Sequence, residues 1–275
     1  MSSAANPLVS VVIPAFKRTD GLRSAVRSLF HQDLSAESFE VLVVDSSPDS
    51  ANRQAIEELQ ADAPFRLQFL HKEPEGPGPS RNLGAHHARG AILAFLDSDC
   101  QASPEWLRAG LAAFEPRTGL VQGRTSPDPA GELGVFVHTV IVDKESHIYE
   151  TCNMFYRREA FEQVGGFPSD RDLDAVAEHP MGGEDIELAW KVKRQGWNSC
   201  FASEAVVYHE VRPIPLIRWL YSKHMMIWPR VVGRYPEIRR YLYAWLFYDQ
   251  AQALFSLGLV GFALIWISPW FLVLT

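Results

Sequence analysis

Two aspartates one residue apart, Asp97 and Asp99, close the apolar run AILAFL at residues 91–96. An Asp-x-Asp turn at the end of a buried strand can hold one divalent cation through carboxylate oxygens, leaving its other positions to phosphate oxygens and water. Turns also favour Asp and Ser for local backbone reasons, so DSD is a weak signal that gains weight from the strand before it. His209 ends another apolar run, AVVYHE at 205–210, and offers the same ion a nitrogen. Alone, it reads more simply as a satisfied structural histidine. A second acidic pair, Glu184 and Asp185, opens the helical stretch GGEDIELAWKVKRQGW at 182–197. Acids in a first helical turn gain about 0.3–1 kcal/mol from the backbone dipole without any function. Gly182 and Gly183 ahead of them, however, would let a ligand approach the helix tip closely. A carboxylate there can take a proton from an incoming hydroxyl. Spacing does not choose between the two acids.

The elements that must position these groups alternate along the chain. LVSVVIPAF (8–16), FEVLVVD (39–45), FRLQFL (65–70) and AILAFLD (91–97) read as buried strands. Between them lie a helix behind Thr19 or Asp20, a polar helix over 48–59 and a helix over 80–89. Ser103 then Pro104 starts a further helix to residue 114. Such alternation predicts an α/β fold with a mostly parallel sheet covered on both faces, its ligand at the carboxyl ends of the strands. The second half predicts a loop over 123–133, an extended segment over 151–158, a short helix over 158–167, a polar loop over 168–183 and a strand over 205–210. No GxGxxG follows the first strand and no GxxxxGK[ST] occurs. The glycine-rich EGPGPSRN (75–82) is a poor phosphate cradle, since prolines remove donors.

Composition bounds the rest. The chain has 275 residues, 47% hydrophobic and 21% charged, with a net charge of -7. Three cysteines without metal spacing favour a reducing compartment. Charge is uneven, with residues 211–275 at +5 and residues 1–210 at -12. The acidic body argues against nucleic acid as a partner. After Asp249, 26 residues carry no charge, enough for a transmembrane helix, which needs about 20 apolar residues. Arginines interleaved with Trp and Tyr over 212–248 suit a helix in the headgroup layer, or a subdomain packed on the core. The expected organisation is a catalytic domain over 1–210, an interfacial region over 211–249 and a membrane helix over 250–275, with the catalytic domain cytoplasmic.

The segments VSVVIPAFKR, VLVVDSSPD, GPSRNLGAHHARGAILAFLDSD, NMFYRREAFEQVGGF and GGEDIELAWKVKRQGW run in one order from about residue 8 to 210. Together they resemble the inverting family 2 glycosyltransferases of GT-A fold. The resemblance implies that Pro14, Ala15, Phe16, Arg18 and Asp45 border the nucleotide-sugar site. Arg81 and Asn82 would help shape it, with Ser98 and Asn153 also lining it. Asp97 and Asp99 would bind the metal-diphosphate, Asp99 in direct contact with Mg2+ or Mn2+ and His209 as a further ligand. Asp185 would be the catalytic base, with Glu184 beside it. The implied donor is a nucleoside-diphosphate sugar, a UDP-sugar by family frequency, and the acceptor a hydroxyl, lipid-linked if the enzyme sits on a membrane.

Two positions depart from the family pattern. Asp45 is followed by Ser46 where a second Asp is common, which leaves one carboxylate for the nucleoside. The Q-x-x-R-W motif of processive synthases is replaced by PLIRW (215–219), favouring a single transfer. Two other functions compete. A sugar-1-phosphate nucleotidyltransferase would want a glycine-rich basic loop after the first strand, where only Lys17, Arg18 and the later Gly21 stand. A catalytically silent membrane protein that binds nucleotide-sugars is the alternative from another class.

Overall fold

The computed structural model describes residues 6–134, 136–168, 183–215, 230–245, 247 and 250–264. The chain divides into two compact units, residues 1–223 and 224–275. The first holds an eight-stranded sheet in the order β3-β2-β1-β4-β8-β6-β9-β5, with helices packed against it. Its first half is the parallel run β1 (Val9–Ala15), β2 (Phe39–Asp45), β3 (Arg66–His71) and β4 (Ile92–Leu96). β1, β2 and β4 are almost wholly buried, as continuous Val, Ile and Leu runs in a parallel sheet must be. In register, Ala15 lies beside Asp45 and Asp45 beside His71. The strands therefore end together, as the α/β rule requires.

The joining helices are α1 (Thr19–Ser28), α2 (Ala51–Gln60) and α3 (Pro77–His87). α3 starts three residues before the expected 80, inside the glycine-proline stretch. Gly76 takes φ 96° as its cap and Pro77 sits in the first turn, a position where a missing N–H costs nothing. Gly84 seats α3 against the sheet, because a Cβ there would stand 2.4 Å from Val12 Cγ1. The contact fixes Arg81, one turn earlier. After β4 the chain forms β5 (Cys100–Ala102) and α4 (Trp106–Ala112). Ser103–Glu105 is the turn before α4, with Trp106 N–H donating to Ser103 O at 3.1 Å, so the helix begins later than the Ser-Pro signal suggests.

The second half of the sheet is mixed and departs further from expectation. β6 (Thr118–Pro127) occupies residues 123–127, which read as loop. Its Gly, Gln, Arg and Thr residues hide the strand signal, and backbone pairing to residues 202–209, with a Thr125–Val142 bridge, supplies what composition does not. β6 runs antiparallel to β8 (Asn153–Arg157) and parallel to β9 (Asn198–His209), with a register break between Gly123 and Arg124. β9 is twice the length of the strand expected over 205–210. Asn153, fully buried, donates from its amide to Arg124 O and Ala205 O and accepts from Trp106 Nε1. It pins three elements at one point.

Helix α5 (Arg158–Gln163) is shorter than expected and ends before Gly165 and Gly166, both at positive φ. α6 (Glu184–Arg194) follows Gly183, whose φ of 94° is left-handed. Gly182 and most of the polar loop expected over 168–183 lie outside the described residues. A two-stranded ribbon pairs β7 (Val137–His138) with β10 (Arg212–Pro213). The second unit contains a 3-10 turn at Pro236–Tyr241 and α7 (Gln250–Leu264). Among the described residues, no helix is long and apolar enough to cross a membrane. α7 has 15 residues, about 22 Å at 1.5 Å per residue, against a hydrocarbon core of about 30 Å. The expected span over 250–275 is thus not carried by what is described; residues 265–275, like the LIRW of PLIRW and part of 212–248, lie outside it.

Candidate active site

Two short electrostatic clusters meet where the strands end. The first surrounds Arg81, whose side chain is 5% exposed. Its Nη2 donates to Asp97 Oδ1 at 2.7 Å, and its Nη1 lies 3.5 Å from both Glu184 Oε1 and Asp185 Oδ1. One guanidinium thus joins the aspartate behind β4 to the acids at the tip of α6. Burial alone would lower the Arg81 pKa, but the carboxylates of Asp97, Asp185 and Glu184 raise it above its ordinary value. Asp185 Oδ2 accepts the Thr151 N–H at 3.1 Å. The β4–β8 register aligns Leu96 with Asn153, which brings the 150–152 segment to this edge. Thr151 and its neighbour Glu150 were not legible as site residues, because a backbone donor leaves no mark in the sequence. Burial pushes the Glu150 carboxyl above its usual range, with the charge of Asp185 adding to the effect.

The second cluster surrounds Asp99. Pairing of Cys100 with His209 across β5 and β9 sets Asp99 beside the histidine, Oδ1 to Nε2 at 3.8 Å. His209 Nδ1 stands 2.8 Å from Glu210 O. A carbonyl only accepts, so Nδ1 carries the hydrogen of that contact and Nε2 is the ring atom turned to Asp99. Asp99 Oδ2 pairs with Arg18 and lies 3.5 Å from Arg212 Nη2. Burial would raise the Asp99 pKa, yet His209, Arg18 and Arg212 hold it below the ordinary range. Gly21 permits the turn, for a Cβ there would stand 2.7 Å from Ser98 O.

The donor set suits a divalent ion. Asp99, Cys100 and His209 offer ligand atoms all within 4.8 Å of one another. A thiol is a soft ligand poorly matched to Mg2+ or Mn2+, which leaves the carboxylate and the imidazole as the suitable ligands. Ligand bonds of about 2.0–2.2 Å can bridge the gap between Asp99 and His209. Asp97, in contrast, is turned to Arg81 and lies outside that group.

The remaining expected residues fall on two sides. Asp45 is buried at the end of β2. Its Oδ1 accepts from Ser47 N, Ser47 Oγ and Asn52 Nδ2. Its Oδ2 accepts no hydrogen bond among the described residues and lies 3.9 Å from His71 Nδ1. Pro14, Ala15 and Phe16 form the adjoining rim, Phe16 exposed and Lys17 at φ 53° donating its N–H to Ser47 Oγ. Asn82 faces away. Its amide donates to Phe167 O at 2.8 Å and accepts from Phe167 N at 2.9 Å, so it braces the chain after α5. Asn153 is likewise used up by protein partners, and Ser98 is buried within the Asp-Ser-Asp turn. Composition groups Arg212 with the basic carboxyl-terminal stretch; the fold instead sets its head on Asp99.

A twisted, mostly parallel sheet with its acidic groups gathered where the parallel strands end defines a GT-A type α/β protein. Residues 10–165 match the family described as Glycosyl transferase family 2, and residues 92–275 match Glycosyl transferase family group 2. The chain belongs to glycosyl transferase family 2. It is 27% identical over 217 residues to Glycosyltransferase AglE of Haloferax volcanii, covering 75% of this chain and 68% of that protein. It is 33% identical over 229 residues to a Validoxylamine A glucosyltransferase of Streptomyces hygroscopicus subsp. jinggangensis, covering 69% of this chain and 52% of that one. Among solved structures, mannosyltransferase PcManGT from Pyrobaculum calidifontis, in complex with GDP-Man and Mn2+, superposes with a TM-score of 0.60 at 19% identity, covering 82% of this chain and 61% of that chain. S. aureus TarS 1-349 in complex with UDP-GlcNAc gives 0.59 at 21% identity, covering 82% and 66%. The chain thus spans about half to two thirds of these proteins, and the structural likeness establishes the fold.

Proposed function

We propose that this protein transfers a sugar from a nucleoside-diphosphate sugar to an acceptor hydroxyl in one displacement, with inversion at the anomeric carbon. The observation that carries the reading is the Arg81 bridge, which sets the Asp97 carboxylate behind β4 and the two at the tip of α6 around one guanidinium. Displacement needs a base on one side of the anomeric carbon and charge neutralisation on the other. Asp185 is the base. Its side chain is 26% exposed against 9% for Glu184, and the Thr151 N–H and Arg81 hold its two oxygens in one orientation. The carboxylate takes the hydroxyl proton as that oxygen attacks, and the glycosidic electrons leave with the diphosphate.

Asp99 and His209 would hold Mg2+ or Mn2+, whose charge, when bound, stabilises the departing diphosphate. Asp45 Oδ2, a buried acceptor that receives no hydrogen bond among the described residues, suits an N–H of the nucleobase. The donors of the structural relatives, GDP-Man with Mn2+ in one and UDP-GlcNAc in the other, support a nucleotide-sugar and a divalent ion. In this proposal the enzyme makes single transfers at the cytoplasmic face of a membrane. Exposed Arg239, Arg240, Tyr241, Tyr243 and Trp245 form a basic and aromatic surface suited to lipid headgroups. A lipid-linked acceptor hydroxyl follows from that location.

The test is D185N assayed with a panel of nucleotide-sugars. Donor binding should persist while transfer disappears. Turnover near the wild-type rate would remove Asp185 from the base role, and release of pyrophosphate from a nucleoside triphosphate by the wild type would mark a nucleotidyltransferase instead.

A further inference from the structure

A departing nucleoside diphosphate carries more negative charge than one divalent cation cancels, so the site needs another cation in reach of the phosphates. Two guanidiniums converge on Asp99 Oδ2, Arg18 through Nη1 and Arg212 through Nη2. Both reach on to Glu210 Oε2, Arg18 Nη2 at 2.5 Å and Arg212 Nε at 3.8 Å. The two arginines are not equally engaged. Arg18 is tightly paired at both ends. Among the described residues Arg212 makes only the long ion-pair contacts at 3.5 and 3.8 Å, and its Nε is closed to solvent yet hydrogen-bonds nothing there. A planar fork of five donors is poorly used there.

Its backbone, however, is well held. The β7–β10 ribbon pairs Arg212 with His138, and Ile214 N–H donates to Phe136 O at 2.8 Å. The same ribbon lays the His138 ring against His209, centroids 5.8 Å apart. Arg212 is therefore a fixed arm with a loosely occupied head beside the candidate metal ligands.

We propose that Arg212 is the clamp on the donor's diphosphate, and that Glu210 is the counter-ion that parks it until a diphosphate arrives. This rests on the nucleotide-sugar reading above. Asp99 offers Arg212 one oxygen that Arg18 already holds, whereas a diphosphate offers several unshared oxygens suited to a bidentate fork. A cation on Asp99 would also weaken the hold of that carboxylate on both guanidiniums, which frees the loosely held Arg212 to turn toward the phosphates while Arg18 retains its 2.5 Å contact to Glu210. Arg18 keeps Glu210 company in either state, so the moving partner is Arg212.

Isothermal titration calorimetry on the full chain, with Mn2+ present, decides the matter with three probes: inorganic pyrophosphate, UDP and GDP. R212Q should weaken pyrophosphate and whichever nucleotide binds by about ten- to a hundredfold, the range of a lost charge-assisted hydrogen bond. R212K should recover part of the loss. E210Q, which frees the fork, should bind at least as tightly as the wild type. R212Q matching the wild type for pyrophosphate and nucleotide overturns the clamp and leaves the transferase reading standing. E210Q weakened as much as R212Q overturns the parking role. A wild type that binds pyrophosphate but neither nucleotide sinks the transferase reading instead, and one that binds none of the three sinks both. Should R212Q lower the melting temperature, R212K and E210Q carry the decision.

Discussion

Asp97 and Asp99 are separated by one residue, yet they belong to different halves of the site. Asp97 is held by Arg81 on α3, against the parallel half of the sheet, and through Arg81 it meets the acids of α6. Asp99 is held by Arg18, His209 and Arg212, two of which come from the far end of the mixed half. One turn thus serves two purposes. In the proposed reaction the Asp97 side would fix the geometry of the proton acceptor, and the Asp99 side would gather ligands and cations for a diphosphate. A shared motif does not imply shared partners; the strand pairing beyond it decides which way each carboxylate faces.

Substitutions that separate the two sides sharpen this comparison, and D185N should have the largest effect. Loss of a general base costs about 10^2 to 10^4 in rate, and kcat should fall by that much while the affinity for donor is unchanged. A parallel fall in donor affinity would show that the two sides are not separable. R81Q comes next. Removing a buried guanidinium that faces three carboxylates leaves them unpaired, at a cost of about 3–5 kcal/mol. Urea unfolding should therefore show a large loss of stability together with lost activity, and a variant as stable as the wild type would break the bridge. D99N and H209Q act on the other side. Each should weaken Mn2+ binding, read by calorimetry, by about 10- to 100-fold or more, the range for disturbing a metal site's ligand environment; D99N should also lower the melting temperature, because it removes the charge that Arg18 and Arg212 face.

The smallest effect is the control at the opposite end of β2. Glu40 is buried and accepts from Ser10 Oγ, Arg89 N–H and Arg66. Burial would raise its pKa, but these bonds carry it below the usual carboxylate range. A depressed folded value contributes stability that is present above the unfolded pKa and is lost as pH falls through the folded one. E40Q should cost about 1–3 kcal/mol at neutral pH, less whatever solvent screens from the half-exposed arginines. The difference from wild type should shrink toward acid pH, with turnover at neutral pH unchanged.

How much of this was legible in the sequence follows the same division. The parallel half announces itself through unbroken Val, Ile and Leu runs, and its strand-end residues Asp45, Asp97 and Asp99 could be placed before any coordinates. The mixed half could not. Residues 123–127 carry Gly, Arg, Thr and Pro and read as loop, because backbone pairing to β9 and the Thr125–Val142 bridge hold the strand there without an apolar pattern. The partners of Arg81 are 16 and 104 residues distant in the chain, and only the fold brings them to one guanidinium. Arg212 and Glu210 directly follow His209, but nothing in their spacing shows that β10 turns back along the ribbon. Asn82 and Asn153 show another limit of the sequence: polar residues inside a recognisable motif whose hydrogen bonds to the backbone only the fold reveals.

The central claim is that a cation bound between Asp99 and His209 faces Asp185 across one open space. The most direct measurement is a crystal structure with Mn2+ and a nucleoside diphosphate, the ion located by its anomalous signal. The account predicts one strong peak in contact with Asp99, His209 and the diphosphate, with the Asp185 carboxylate open to the same space. A peak elsewhere, or a diphosphate bound on a surface that Asp185 does not reach, would contradict it.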